Sequence, residues 1–570
     1  MTHSHSHLSR RAVRDVAPIA EPHMEHLAAA WMCKGVPHSG SPLERRLDDA
    51  IASATTRGVL SDAQCDRMTD ALAEERTTLV QCLADIEAAL LPCTASDVTA
   101  EVVRAESMLM LRKEFERHVT EITGLPPANE AFNAWLFVQL ARSHAAGIVD
   151  GTEHLFVPLV TPGRDGTDDR CGKGSSDGGG GGDGSSDGGG HAWPLVKYFV
   201  RARTRGANLP PVTPVEMAQL EATSTALAEA CDAWLRQQWE GHRERVRLAV
   251  AGARRECSRQ HADVGISAER LGSTSPSAPP EAAPRLPPDA ADPPEAITSY
   301  RVCGGASNDG SSYRVWLEPR PQRQRSEHIV NAACLAKLRA GYVGAPADFD
   351  CRLFVLLHRY ASVFGPRSSE GRGWQLATPP AAMDSLSADF GVDAECFASP
   401  FNRRQPHFCS AFLDTDAPFG SSGNFFAAAH RGSLQTLESA EGGPPYDDQL
   451  MMMAVRAIDA ELTSRQRAGR PGSFVLVVPD WREPPSAFWS AAQRSEHLAH
   501  VLVLEKHRHR YLDGFQHLAS SARARYIMGE TATLLIWLQN DVAASLERFA
   551  VTEDKLAHQR AAWDVPERLT

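Results

Sequence analysis

The chain has 570 residues, too many for one ordinary hydrophobic core, so two or three domains are expected. Its 71 acidic and 59 basic side chains leave a net charge of −12, which excludes a nucleic-acid binder working through bulk electrostatics, because backbone affinity comes from phosphates neutralised by Lys and Arg. Twelve cysteines without a Cys-x-x-Cys pair argue for reduced thiols rather than a disulfide framework, and no apolar run approaches the roughly twenty residues of a bilayer span.

Residues 1–40 open with Met1-Thr2-His3-Ser4-His5-Ser6-His7, lack the apolar core of a secretory signal and read as a disordered tail. A helical domain follows in two parts, 41–150 and 193–262. Leu43 to Leu91 is rich in Ala, Leu and Glu behind Asp62 as a cap, Val102 to Ile122 continues it, and Pro214 to Arg259 carries Leu, Ala and Trp at three- and four-residue spacing. Thr213-Pro214-Val215-Glu216 resembles a capping box with proline in the first turn. Two low-complexity segments read as linkers, 151–192 around the Gly-rich run Gly172 to Gly190, and 263–297 around the Pro- and Ala-rich run Ser273 to Pro294.

From 298 to 560 the pattern is that of a second domain, with 561–570 as a tail. Tyr300 to Leu317 alternates around Gly and Asn turns and predicts a hairpin. Helix and strand then alternate as in a parallel sheet: a helix at Leu353 to Phe364, and strands at Asp393 to Phe397, Ser410 to Leu413, Ser433 to Leu437, Ser473 to Val478, Val501 to Leu504 and Thr531 to Leu538. Ligands of such sheets bind beyond the carboxyl ends of the strands. The loops at Phe397, Gly443 and Pro479 all fall there. Local basic groups for an RNA contact are Arg320 to Arg325, Arg403-Arg404 and Lys506 to Arg510, each of which also reads as a solvated face.

Within this domain Glu441-Gly442-Gly443-Pro444-Pro445-Tyr446-Asp447-Asp448 is close to a motif that ends a strand in enzymes methylating an exocyclic adenine amine, Asn- or Asp-Pro-Pro-aromatic. That amine is a poor nucleophile, so a side-chain oxygen and a backbone carbonyl accept its hydrogens while the aromatic ring stacks on the base. Here both prolines and the aromatic are present, and the position of the side-chain acceptor is Gly443. Losing one such hydrogen bond costs on the order of 3–4 kcal/mol, a hundred- to a thousandfold in rate. Glu441, Asp447 and Asp448 put three carboxylates beside the gap.

Segment after segment, about Phe354 to Asp541 resembles the family of phosphorylated-CTD-interacting factors. The segments are Leu357-His358-Arg359-Tyr360 to Phe364-Gly365, Glu370-Gly371, Phe390-Gly391-Val392, Glu395-Cys396-Phe397-Ala398-Ser399-Pro400-Phe401-Asn402, Phe408 to Asp416, Phe419-Gly420-Ser421, Pro479 to Pro485, and Leu538-Gln539-Asn540-Asp541. The resemblance implies a Rossmann-like S-adenosylmethionine-dependent methyltransferase domain behind an α-helical domain, acting on N6 of the cap-adjacent 2′-O-methyladenosine of mRNA in the nucleus, with a cytoplasmic share left open. It implies that Gly443, Pro444, Pro445 and Tyr446 stand at the catalytic motif and share the cofactor with Phe397, Ala398, Ser399, Pro400 and Asn402 at the first turn. Asp414 and Asp416 at the second strand are candidates for the donor's ribose, with an Asx turn and cap as the other reading. Substrate contacts fall to Asp448, matched to a family Glu, and to Trp481-Arg482-Glu483-Pro484-Pro485, where an indole stacks and a guanidinium takes phosphate. His509, Tyr511, Gly514, Gln516 and His517 match as well, without a role legible in their spacing. The expected partner is a capped mRNA 5′ end; phosphorylated RNA polymerase II tails follow only weakly, since no tryptophan pair with WW spacing and closing proline is found. A degenerate methyltransferase that binds capped RNA or a processing partner is the alternative.

Overall fold

The computed structural model describes residues 95–148, 155–160, 214–269, 300–318, 327–365, 374–519 and 526–564, apart from positions 125, 128, 129, 433, 435, 436 and 515. The tail at 1–40, the Leu43 to Leu91 pattern, both low-complexity runs, Arg320 to Arg325, Glu370-Gly371 and residues 565–570 lie outside the described residues.

The helical half contains α1 (Ala95–Thr123), α2 (Ala131–Ala145) and α3 (Pro214–Glu269). Trp135 and Trp239 meet edge to face at its centre, and each buried indole N–H has an acceptor: Trp135 donates to Asp232 (2.7 Å) and Trp239 to the Val157 carbonyl (2.8 Å). The predicted hairpin is present as β1 (Arg301–Ala306) and β2 (Ser312–Glu318), with β3 (Glu327–Asn331) as a third antiparallel strand that the sequence did not announce. Next come α4 (Ala332–Ala340), α5 (Phe349–Phe364) and α6 (Pro380–Phe390).

The remaining elements in chain order are β4 (Ala394–Ala398), β5 (His407–Ser410), α7 (Phe425–His430), β6 (Ser439–Gly442), α8 (Asp448–Arg467), β7 (Ser473–Pro479), α9 (Ala487–Arg494), β8 (Leu498–Leu504), β9 (Arg510–Leu512), β10 (Tyr526–Met528), β11 (Thr533–Gln539) and α10 (Glu553–Trp563). Six strands form one sheet in the order β5-β4-β6-β7-β11-β8. The expectation of a parallel sheet holds for β4, β5, β6 and β7, whereas β11 runs antiparallel to both of its neighbours. The domain is thus a Rossmann-like α/β fold behind a helical half, with one strand reversed at its far side. One predicted strand is displaced. Ser410 to Leu413 is replaced by His407–Ser410, since Leu413–Asp416 is a helical turn; the predicted strand Ser433 to Leu437 lies mostly outside the described residues, and a strand stands at Ser439–Gly442.

The sheet buries its central strands on both faces. β7 and β11 are buried at every residue, and the core of the sheet runs without a break into that of α1, α2 and α3. From β4 the chain steps outward to β5 and then returns to β6 on the other side of β4. Such a reversal opens a crevice at the carboxyl ends of the two strands between which it occurs. Among the described residues no helix is long and apolar enough to cross a membrane.

Candidate functional site

A cleft of about 420 Å³, counting its open mouth, lies at that reversal. Its floor is Gly443, Pro444, Pro445 and Tyr446 after β6, with Glu395, Phe397 and Asn402 on the β4 side. Trp374 to Thr378 close it from above, and Tyr511 and Val477 complete the wall. The structure therefore brings Phe397, Asn402 and the whole Gly443–Tyr446 motif together. Ala398, Ser399 and Pro400 shape the turn behind them without lining the cleft.

That turn is set by short bonds. Asn402 Oδ1 accepts from the Ser399 amide (2.6 Å) and hydroxyl (2.9 Å), and Asn402 Nδ2 reaches the Gln375 carbonyl (3.3 Å). Glu395, almost wholly buried, takes the Arg404 and Gln405 amides at 2.5 and 2.6 Å, so the loop after β4 folds back on the strand it leaves. Burial pushes the Glu395 carboxyl up, against those two amides.

The aspartates of the sequence reading have bonds within the protein. Asp416 is fully buried, accepting from the Tyr360 hydroxyl (2.8 Å) and from Thr415 (2.7 Å), and burial raises it to about 6. It faces the core. Asp414 receives two bonds from Arg359, at 3.1 and 2.8 Å. Asp448, read as a substrate contact, accepts the first amides of α9, from Ala487 (3.0 Å) and Phe488 (2.9 Å), because a carboxylate placed at a helix start satisfies otherwise orphaned donors. Asp447 caps its own helix α8 through Gln449 and Leu450.

The loop Trp481–Pro485 leaves β7, next to the strand that carries Gly443. None of its residues lines the cleft. Arg482 is held in a fork by Asp480 at 2.7 Å twice, and Trp481 packs edge to face on Phe488 (6.2 Å between centroids). Asp448 is the bond between this loop's helix and the motif loop. Of the basic candidates, Arg403 is half-buried over Phe408 and Arg404 is forked to Asp384, whereas Lys506 and Arg508 are exposed on a turn.

The role of the segment around Tyr511 becomes visible only in three dimensions. Leu512 exchanges backbone bonds with Ala377 (2.9 and 3.1 Å), which lays Trp374 to Thr378 over the cleft. Gly514 permits that approach, since a Cβ there would lie 2.3 Å from Cβ of Gln375. Tyr511 meets Tyr446 edge to face (6.3 Å, 73°) with their hydroxyls interacting, and Tyr511 is itself bonded to Thr533, which takes His509 Nε2 at 2.8 Å. The Tyr446 hydroxyl therefore has a place. Tyr446→Phe is expected to cost less than about 1.5 kcal/mol in thermal unfolding, the value of one ordinary hydrogen bond; a loss of twice that would show Tyr446 to be a structural anchor of the wall.

Glu441 is the residue whose position decides most. It is 4 % exposed, points into the cleft and accepts from the Thr378 hydroxyl at 3.0 Å. Burial raises its carboxyl to about 8, with Glu395 on the adjacent strand adding to the shift and Thr378 opposing it. A Cβ built on Gly443 would stand 3.1 Å from Glu441 Oε1.

A family model described as the phosphorylated CTD interacting factor 1 WW domain matches residues 343–514. The chain is 34% identical over 212 residues to the mRNA (2′-O-methyladenosine-N(6)-)-methyltransferase of Homo sapiens and to that of Mus musculus. The matches cover 37% of this chain and 29% and 28% of those proteins, so the chain spans less than a third of the length of the curated relatives it matches. The matched stretch runs through α5, the turn after β4 and the strands β6 and β7 that frame the cleft. Over that stretch the chain is similar to the phosphorylated CTD interacting factor 1 family.

Proposed function

We propose that the protein is an S-adenosylmethionine-dependent methyltransferase acting on N6 of the 2′-O-methyladenosine next to the cap of mRNA. The observation that supports this most is the placement of Gly443-Pro444-Pro445-Tyr446 at the carboxyl end of β6, in the crevice at the sheet reversal, inside the stretch shared with relatives named for that reaction.

The residues present fit the donor. The cleft has apolar walls at Leu376, Phe397 and Val477, and a tight turn after β4 whose polar groups are already satisfied. When bound, the donor supplies a methyl group from its sulfonium: a nitrogen–carbon bond forms, the carbon–sulfur bond breaks with its electron pair on sulfur, and the amine loses one proton. Tyr446 offers a ring face for the adenine, held at its angle by Tyr511. Pro444 and Pro445 stiffen the floor, which keeps the base in line with the reacting carbon. Trp374 to Thr378 cover the cleft and reduce the water that reaches it. The 5′ cap and phosphates fall to groups outside the cleft, with Trp481, Arg482 and the exposed Lys506 and Arg508 as candidates. A nuclear location and an encounter with phosphorylated polymerase tails belong to the same proposal.

Purified protein incubated with isotopically labelled donor and capped RNA beginning with 2′-O-methyladenosine should yield labelled N6,2′-O-dimethyladenosine, read by nucleoside mass spectrometry. A protein that binds both components and transfers no label would leave an RNA-binding methyltransferase fold without activity.

A further inference from the structure

We infer that Glu441 takes over the task of the side chain missing at Gly443, its carboxyl oxygen accepting a hydrogen of the target amine. This rests on the methyltransferase reading and names the group that makes it chemically complete. In an extended strand, side chains two apart point to the same face, so residues 441 and 443 address the same space above β6. The 3.1 Å between Glu441 Oε1 and the site of a Cβ on Gly443 shows that this space is already filled by the Glu441 carboxyl. Gly442 points the other way, where a Cβ would press on Leu476 at 2.8 Å.

Elimination leads to the same residue. Of the three carboxylates beside the gap, Asp447 caps α8 and Asp448 caps α9, each with backbone amides on its oxygens. Glu441 has Thr378 as its hydrogen-bond donor, and the second lone pair of the same oxygen remains for the amine. Thr378 also fixes the rotamer, so the acceptor is preorganised rather than recruited on binding. Either protonation state presents an acceptor oxygen. Glycine at 443 is then the partner of glutamate at 441: a side chain there would crowd the carboxyl that replaces it.

Four variants test this: Glu441→Ala, Glu441→Gln, Gly443→Asn and the double Glu441→Ala/Gly443→Asn, each assayed for methyl transfer to capped 2′-O-methyladenosine RNA and for thermal unfolding without ligand. Glu441→Ala should lose about a hundredfold or more in rate, Glu441→Gln, which keeps an acceptor oxygen, clearly less, and the double variant should recover at least about tenfold over Glu441→Ala. In unfolding, Gly443→Asn should lower the midpoint by about 2–4 °C beside Glu441 and by less beside alanine, because the crowding is gone. A Glu441→Ala enzyme at the wild-type rate, or additive midpoints for 441 and 443, would overturn the inference. An inert wild type overturns the enzyme reading and the catalytic task with it, while coupled midpoints would still show that the two positions share one space.

Discussion

Arg359→Ala is expected to cost about 3–5 kcal/mol of unfolding free energy, the loss seen when one partner leaves a buried ion network. Arg359 is fully buried and sits between two carboxylates: Glu101 on α1, at 2.7 Å through both Nε and Nη2, and Asp414 after β5, at 3.1 and 2.8 Å. It therefore joins the helical half to the sheet. Burial already raises the Glu101 carboxyl, and the Arg359 guanidinium pulls it down. With the guanidinium gone, Arg104, 3.6 Å from Glu101, is the remaining group among the described residues that opposes burial.

The pH dependence has a definite sign. A carboxyl whose folded pKa is raised above its unfolded value holds its proton longer in the folded state, so stability is lost as pH rises from the unfolded pKa toward the folded one. Arg359→Ala raises Glu101 further. Its deficit relative to wild type should thus grow from pH 5 to pH 8, measured by denaturant unfolding at several pH values. A second change, Glu101→Gln, should return part of the loss at pH 8 and little at pH 5. A deficit that is the same at every pH would show that Arg359 acts through packing over Phe412 rather than through charge.

Strands such as β7 and β11 were legible in the sequence because Phe474 to Val478 and Thr533 to Leu538 are apolar throughout, and the sheet buries both of their faces. β6 was not. Ser439-Ala440-Glu441-Gly442 contains no β-branched or aromatic residue, and it is a strand because β4 and β7 flank it and bury all four positions. The same lack of a local pattern hid Glu441, since only a strand through 441 places it on the face of Gly443. The motif itself, Gly443 to Tyr446, and Phe397 and Asn402 were readable and do meet. The cover, Trp374 to Thr378, carries no local pattern: it is positioned by the bridge to Leu512 and by the missing side chain of Gly514. The bond from Asp448 to α9 was not legible either, because the helix it caps begins 39 residues later.

Glu441→Gln should stabilise the protein, and by more as pH rises. The wild-type carboxyl is buried beside Glu395 on β4, under Thr378, with Tyr446 and Tyr511 across the cleft and Cys396 behind, and no cation faces it among the described groups. Its pKa moves from 4.5 to about 8. Between those values the folded state holds a proton that the unfolded chain has released, and each pH unit of the window removes on the order of 1.4 kcal/mol of stability. Glutamine has no such dependence. Set against about 1 kcal/mol for an amide with one partner, the variant should be roughly 2–4 kcal/mol more stable than wild type at pH 8 and nearly equal at pH 5. Chemical denaturation at the two pH values reads this directly, and a variant less stable than wild type at pH 8 would mean that the carboxyl is ionised and well solvated in the cleft. Retaining an acid that weakens the fold, where a neutral isostere would strengthen it, is the pattern expected of a group kept for chemistry. Because the same substitution should slow methyl transfer, the two measurements on one variant place Glu441 on the side of function rather than of folding.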